Sequence, residues 1–215
     1  MSLTHKEILN KLEWRYATKV FNKDKKISKQ DWELLEKSLQ LSPSSYGLQP
    51  YKFLIVENPE LREKLKAVSW NQGQVTDASH FVVLTTRKNI SSDYVKEFID
   101  LHAQVREVPR DNFVGYENMM LKNIVEGMDA EYMRVWNQRQ AYIAMGFLLE
   151  TAALLDIDSV PMEGLDVKAY DKILNLEGTD YAAVAAVALG YRDESDKYQF
   201  AKKVRFPLER LIQHV

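Results

Sequence analysis

The chain has 215 residues and no cysteine. That removes thiol nucleophiles, disulfides and cysteine-held zinc or iron–sulfur sites together. Its four histidines, His5, His80, His102 and His214, never stand three or four residues apart, and no HExxH occurs, so no metal site is expected. Glycine is sparse, at 8 residues, and none falls in GxGxxG, GxxxxGK[ST] or GxSxG. A Rossmann dinucleotide site, a P-loop and a nucleophile elbow are therefore not expected. Neither sign of charge dominates: 29 basic against 31 acidic residues give a net of -2, no footprint for nucleic acid or an anionic membrane. Long apolar runs are missing too. The most apolar stretch, AYIAMGFLLETAALL (141–155), carries Glu150 and falls short of the roughly 20 residues that span a bilayer. The opening MSLTHKEILNKLEWRY lacks a positive end followed by an apolar run, so a cytoplasmic chain without a secretory leader is expected. Acidic residues are scattered among helical lysines, and no general acid–base pair stands out. By elimination, an enzyme made of this chain would leave its hard chemistry to a bound organic cofactor.

What is present is a 46% hydrophobic chain without repeats or linkers, which predicts a single domain over residues 1–215. Thr4 with Glu7 forms a capping box ahead of a helix over 4–16, and Ser28 with Asp31 repeats the signal before a second helix. Residues 51–57 and 80–86 read as strands. Asn58-Pro59 opens a helix between them, and Ser91 or Ser92 caps another after them. An irregular stretch is expected around 109–116. Residues 129–156 predict one long helix, apolar nearly all round from Ala141 onward, either central or shared with a partner subunit. A break at 160–164 precedes a short helix capped by Asp166. Residues 181–189 (YAAVAAVAL) predict a close-packed buried strand.

Four stretches then stand out: RYATK (15–19), SPSSYGLQPYKF (42–53), VPMEG (160–164) and KKVRFP (202–207), with WNQGQVTDASHFVV (70–83) between the second and third. In order and spacing they resemble the nitroreductase family, FMN-dependent NAD(P)H oxidoreductases that include oxygen-insensitive nitroreductases and quinone or dihydropteridine reductases. The resemblance spans most of the chain and is weakest at about 88–135. It implies an α+β fold with a mixed central β-sheet flanked by helices, long interface helices, and a C-terminal tail reaching the partner subunit. It also implies a homodimer with two FMN molecules in its interface. NADH or NADPH would pass hydride to flavin N5, and a small aromatic acceptor such as a nitroaromatic or quinone would then take the electrons, in ping-pong order. A non-catalytic flavin-binding or redox-sensing module of the same fold is the alternative.

Residue by residue, Arg15, Lys203 and Arg205 match the family's phosphate-binding cations, and guanidinium forks suit a phosphate dianion. Any one of them alone also fits ordinary surface charge. Tyr16 and Ala17 lie within the same motif; many relatives have serine where Ala17 stands, so one hydroxyl contact is missing. Lys19 and Asn71 match positions that bond the polar edge of the flavin, and Gln74 stands where many relatives carry a lysine. A neutral Gln74 there implies a lower reduction potential than a lysine would give. Pro161, Met162, Glu163 and Gly164 match the segment against one flavin face, although Pro and Gly also suit a plain turn. Pro43, Ser44, Ser45 and Gly47 match the loop that closes over the flavin of the other subunit, with the serine hydroxyls toward its ribityl chain or phosphate. Many relatives have asparagine in place of Gly47. Trp70, Tyr116, Met119, Met120 and Trp136 are candidates for a substrate slot, though the same residues suit core packing.

Overall fold

The computed structural model describes residues 3–215. Local capping chemistry places most of its helices. The Thr4 hydroxyl accepts the Glu7 N–H, and the Glu7 carboxylate accepts the Thr4 N–H, which starts α1 (His5–Trp14) at the expected box. Ser28 caps α2 (Lys29–Leu41). Asn58 Oδ1 takes two backbone N–H groups ahead of Pro59 and opens α3 (Pro59–Ala67). A single turn, α4 (Gln74–Asp77), precedes α5 (Ser92–Arg106), which Ser91 caps. Asp129 caps α7 (Ala130–Leu154) and Asp166 caps α8 (Val167–Ile173). The stretch expected to be irregular is more ordered than its proline suggested. A 3-10 turn, Arg110–Phe113, runs into α6 (Val114–Met120) and then a π-helical turn, Leu121–Glu126.

The sheet contains β1 (Tyr51–Ile55), β2 (His80–Arg87), β3 (Asp158–Met162) and β4 (Tyr181–Gly190) in the order β1-β2-β4-β3. All three pairings are antiparallel. The expected mixed sheet is thus corrected: the parallel element among the described residues is an isolated bridge between Ala17 and Ser159. The expected break at 160–164 is corrected as well, because 158–162 is strand. Pro161 misled the sequence reading, but β3 lies at the edge of the sheet, where a missing N–H leaves no ladder bond unmade.

Alternation along β2 sends Phe81 and Val83 to one face and Val82 and Leu84 to the other. The first face packs against Leu65 of α3 and Tyr170 of α8, the second against Leu35 of α2 and Leu148 of α7. Ala183, Ala185, Ala186 and Ala188 keep β4 thin enough for helices to approach from both sides. A third cluster, with Leu48, Ile99, Ile124 and Trp136, joins α5 and the π-turn to the start of α7. From Ala141 onward α7 is apolar nearly all round, yet Ile143 and Phe147 stay exposed, at 41% and 44%. No described helix is long and apolar enough to cross a membrane.

Candidate functional site

A cavity of about 470 Å³ opens where the end of α1 meets the C-terminal tail. The segment after α1 contributes Arg15, Tyr16, Ala17 and Lys19, and the tail contributes Lys202, Lys203 and Arg205. Five cations thus share one cavity with a single carboxylate, Glu13. Burial lowers the pKa of Arg15, and the charge of Arg205 lowers it further. Lys203 is lowered by burial first, then by Arg15 and Arg205. Such mutual repulsion favours any anion that enters. The Lys203 ammonium donates to the backbone oxygens of Leu12 and Arg15. Arg15 Nε is shut off from solvent and has no hydrogen-bond partner among the described residues. A buried donor left unpaired in a positive cavity fits a phosphate, whose oxygens would accept from it.

The backbone carries this cavity toward a second region along β3. Thr18 N–H donates to the Ser159 oxygen (3.4 Å), beside the Ala17–Ser159 bridge, and Pro161 of β3 lines the cavity wall. Farther along, Gly164 lies under the Trp70 indole; a Cβ at this glycine would sit 2.8 Å from two indole carbons. The Gln72 side-chain amide donates to the Gly164 oxygen (3.0 Å). Trp70 and Asn71 both hold positive φ, 52° and 53°, a conformation that non-glycine residues adopt at a cost. Asn71 is exposed, whereas Gln74 is buried. Met162 is core, and the Glu163 carboxylate accepts from the Tyr142 hydroxyl on α7. Burial and that bond push the Tyr142 pKa up to about 12.

The loop at 43–47 lies elsewhere. Pro43, Ser44, Ser45 and Gly47 do not line the cation cavity. Ser45 N–H donates to Gln140 Oε1 on α7 (2.8 Å), and the Ser44 hydroxyl accepts the Gln49 N–H (2.9 Å). Tyr46 stands at φ 57° and Gly47 at φ 68°, so the chain reverses here in a left-handed conformation that glycine eases. The Tyr116 hydroxyl donates to the Tyr46 oxygen (2.7 Å) and pins the loop to α6. Of the slot candidates, Met120 and Trp136 are core, while Trp70 (81%) and Met119 (49%) are exposed. The structure therefore brings together the stretches at 15–19, 160–164 and 202–205, with 70–74 at their far end, and keeps 43–47 apart.

The sequence reading missed Lys202, Tyr198 and Gln199 on the cavity wall and Gln72 beside Gly164. Lys202 and Gln72 lie inside stretches already singled out, so adjacency alone would have found them.

Known proteins match this chain along its length. The nitroreductase family model matches residues 12–191. A "Putative NAD(P)H nitroreductase" of Staphylococcus haemolyticus is 38% identical over 226 aligned residues, covering all of both chains. YfkO of Bacillus subtilis, which bears the same description, is 36% identical over 97% of each chain. Among solved structures, a "putative nitroreductase" of Exiguobacterium sibiricum in complex with FMN superposes with a TM-score of 0.80 at 17% identity. It covers all of this chain and 99% of its own. With one fold shared end to end and more than a third of its residues shared with full-length relatives, this chain belongs to the nitroreductase family.

Proposed function

We propose that the chain is an FMN-dependent NAD(P)H oxidoreductase, one domain per subunit, working as a homodimer on small aromatic acceptors such as quinones or nitroaromatics. The observation that carries this reading is the cation cavity, with its unpaired Arg15 Nε, at one end of the strip that leads along β3 to Gly164. Arg15, Lys203 and Arg205 would hold the FMN phosphate, and the 160–164 segment would lie against the isoalloxazine. Bound FMN supplies a two-electron carrier, which is why no side chain needs to act as a covalent or acid–base catalyst. The chain's own part is to bind the phosphate, orient the ring and leave one face open beside the exposed Trp70. Gln74 and Asn71 bring donors without charge to the ring's polar edge.

Two features support the dimer. Ser44, Ser45 and Gly47 stand apart from the cavity, as a loop serving a second subunit's cofactor would. The tail leaves the body with Val204, Leu208 and Leu211 at least 60% exposed, a heavy apolar exposure for a solvated segment. A groove of about 950 Å³ runs along edge strand β1 between α2 and α5, lined by Tyr51, Phe53 and Leu101 and by Glu36, Glu97 and Asp100. Its apolar floor and acidic rim complement a tail that carries Arg205 and Arg210.

The test is direct. The purified protein should be yellow, should bleach under anaerobic NADH or NADPH, and should recover its colour on adding a quinone. A yellow protein that neither nucleotide bleaches would be a flavin store, and a colourless one that takes up no FMN would sink the reading.

A further inference from the structure

The cation cavity is assembled from chain segments nearly 190 residues apart, and its charges repel one another. None of Arg15, Lys19, Lys202, Lys203 and Arg205 forms an ion pair with a carboxylate among the described residues. Something else must hold the halves together, and the hydrogen bonds converge on one side chain. Asp196 is 1% exposed. Its Oδ2 accepts from the Tyr16 hydroxyl (2.9 Å), the Lys19 N–H (2.7 Å) and the Val20 N–H (3.1 Å). Its Oδ1 accepts the Tyr198 N–H (3.0 Å) and caps the 3-10 turn Lys197–Phe200, from which the tail departs. One carboxylate therefore fixes the backbone that carries Arg15 and Lys19 and also starts the turn that delivers Lys203 and Arg205. Nearby, Asp193 N–H donates to the Val20 oxygen (2.9 Å) and closes the same junction.

We propose that Asp196 is a positioning residue that joins the two halves of the cation cavity into one phosphate site. This rests on the reading of that cavity as the place of the FMN phosphate. All four partners of Asp196 are donors, so the site calls for an acceptor-only group. An asparagine would turn an NH2 toward at least one of them. Burial alone would raise the acid's pKa, but the bonds from Lys19, Tyr16, Val20 and Tyr198 outweigh it and hold it below the usual aspartate value. The group is thus ionised at neutral pH, as an acceptor of four bonds must be. Asp196 would not touch the ligand; it acts through Tyr16, Lys19 and the tail.

A brace for the fold and a positioner for phosphate differ in selectivity. Riboflavin shares the ring and ribityl chain of FMN but lacks the phosphate. After flavin removal, the full-length chain and its Asp196→Asn, Tyr16→Phe and Arg15→Ala variants are titrated with FMN and with riboflavin by flavin fluorescence. Thermal midpoints are recorded alongside. The unaltered chain should prefer FMN, and Arg15→Ala should remove much of that preference. Asp196→Asn should weaken FMN by about tenfold or more while riboflavin changes little, the size expected for loss of charge-assisted bonds. Tyr16→Phe keeps the carboxylate and its backbone bonds, and should lower FMN affinity about threefold with riboflavin unaltered. Equal losses for both ligands, or an unaltered FMN-to-riboflavin ratio in Asp196→Asn, overturn the inference. Where Asp196→Asn fails to fold, the ratio in Tyr16→Phe decides. An unaltered chain that binds both ligands alike overturns the cavity reading itself, and the inference with it.

Discussion

The cation cavity and the loop at 43–47 carry the two halves of one expected cofactor site, yet they are built by opposite means. The cavity is charged and non-local, joining residues 15–19 to residues 202–205 through a buried carboxylate. The loop is uncharged and local, closed by its own Ser44–Gln49 bond and clipped to α6 and α7 by Tyr116 and Gln140. A non-local charged site depends on the whole fold, so it marks which chain owns a cofactor. A local loop held on long helices can be presented outward to a neighbour at little cost.

The largest expected break in that contrast is Arg15→Ala. It should weaken FMN binding by about tenfold to a hundredfold, because it deletes a charge-assisted fork whose Nε is already desolvated. Flavin titration reads it. Next comes a mixing experiment. Subunits bearing Arg15→Ala are combined with subunits bearing Ser44→Ala and Ser45→Ala. If the loop serves the other chain, each mixed dimer regains one intact site, and flavin content rises above that of either parent. If the loop serves its own chain, every site stays defective and no recovery is seen. A smaller effect separates the two serines. The Ser45 hydroxyl makes no bond among the described residues, so Ser45→Ala should cost FMN retention a few-fold and leave the thermal midpoint alone. Ser44→Ala removes the Gln49 bond and should destabilise the fold by about 1 kcal/mol.

A last effect lies outside both regions and keeps acid damage to the fold apart from acid damage to the site. His80 stacks on Trp32 (ring centroids 3.9 Å apart), and burial, with the charges of Arg62 and Lys26, lowers its pKa to about 4. The unfolded chain binds this proton more readily, so the stability held above about pH 6.5 drains away as pH falls toward 4. His80→Phe should flatten that part of the curve. Denaturant melts at pH 7 and pH 5 would show it, and an equal acid loss in both proteins would contradict it.

Much of the helical frame was legible because capping is local: Thr4, Ser28, Asn58, Ser91 and Asp166 each announce a helix within three residues. Strand β3 was not. Five residues with a proline in fourth place read as a break until the position at the sheet edge makes that proline harmless. The antiparallel order of the sheet is long-range information that no local signal carries. At the site, the cations stood out only as members of an ordered set of motifs. Asp196 could not have been picked from among 31 acidic residues, since what distinguishes it is the convergence of four donors from two distant segments.

The anchoring of Lys203 on the carbonyls of Leu12 and Arg15 has a further consequence. Dipoles tether an ammonium without neutralising it, so its full charge stays available. Until an anion arrives, that charge presses against Arg15 and Arg205, and the junction between tail and body is held under electrostatic tension. Binding of a phosphate relaxes it, so the occupied state should resist unfolding and proteolysis at the tail more than the ring's own contacts would explain. On the proposed reading of the cavity, the tail's attachment would be a quantity set by cofactor supply, and a subunit short of flavin would have the loosest C-terminus.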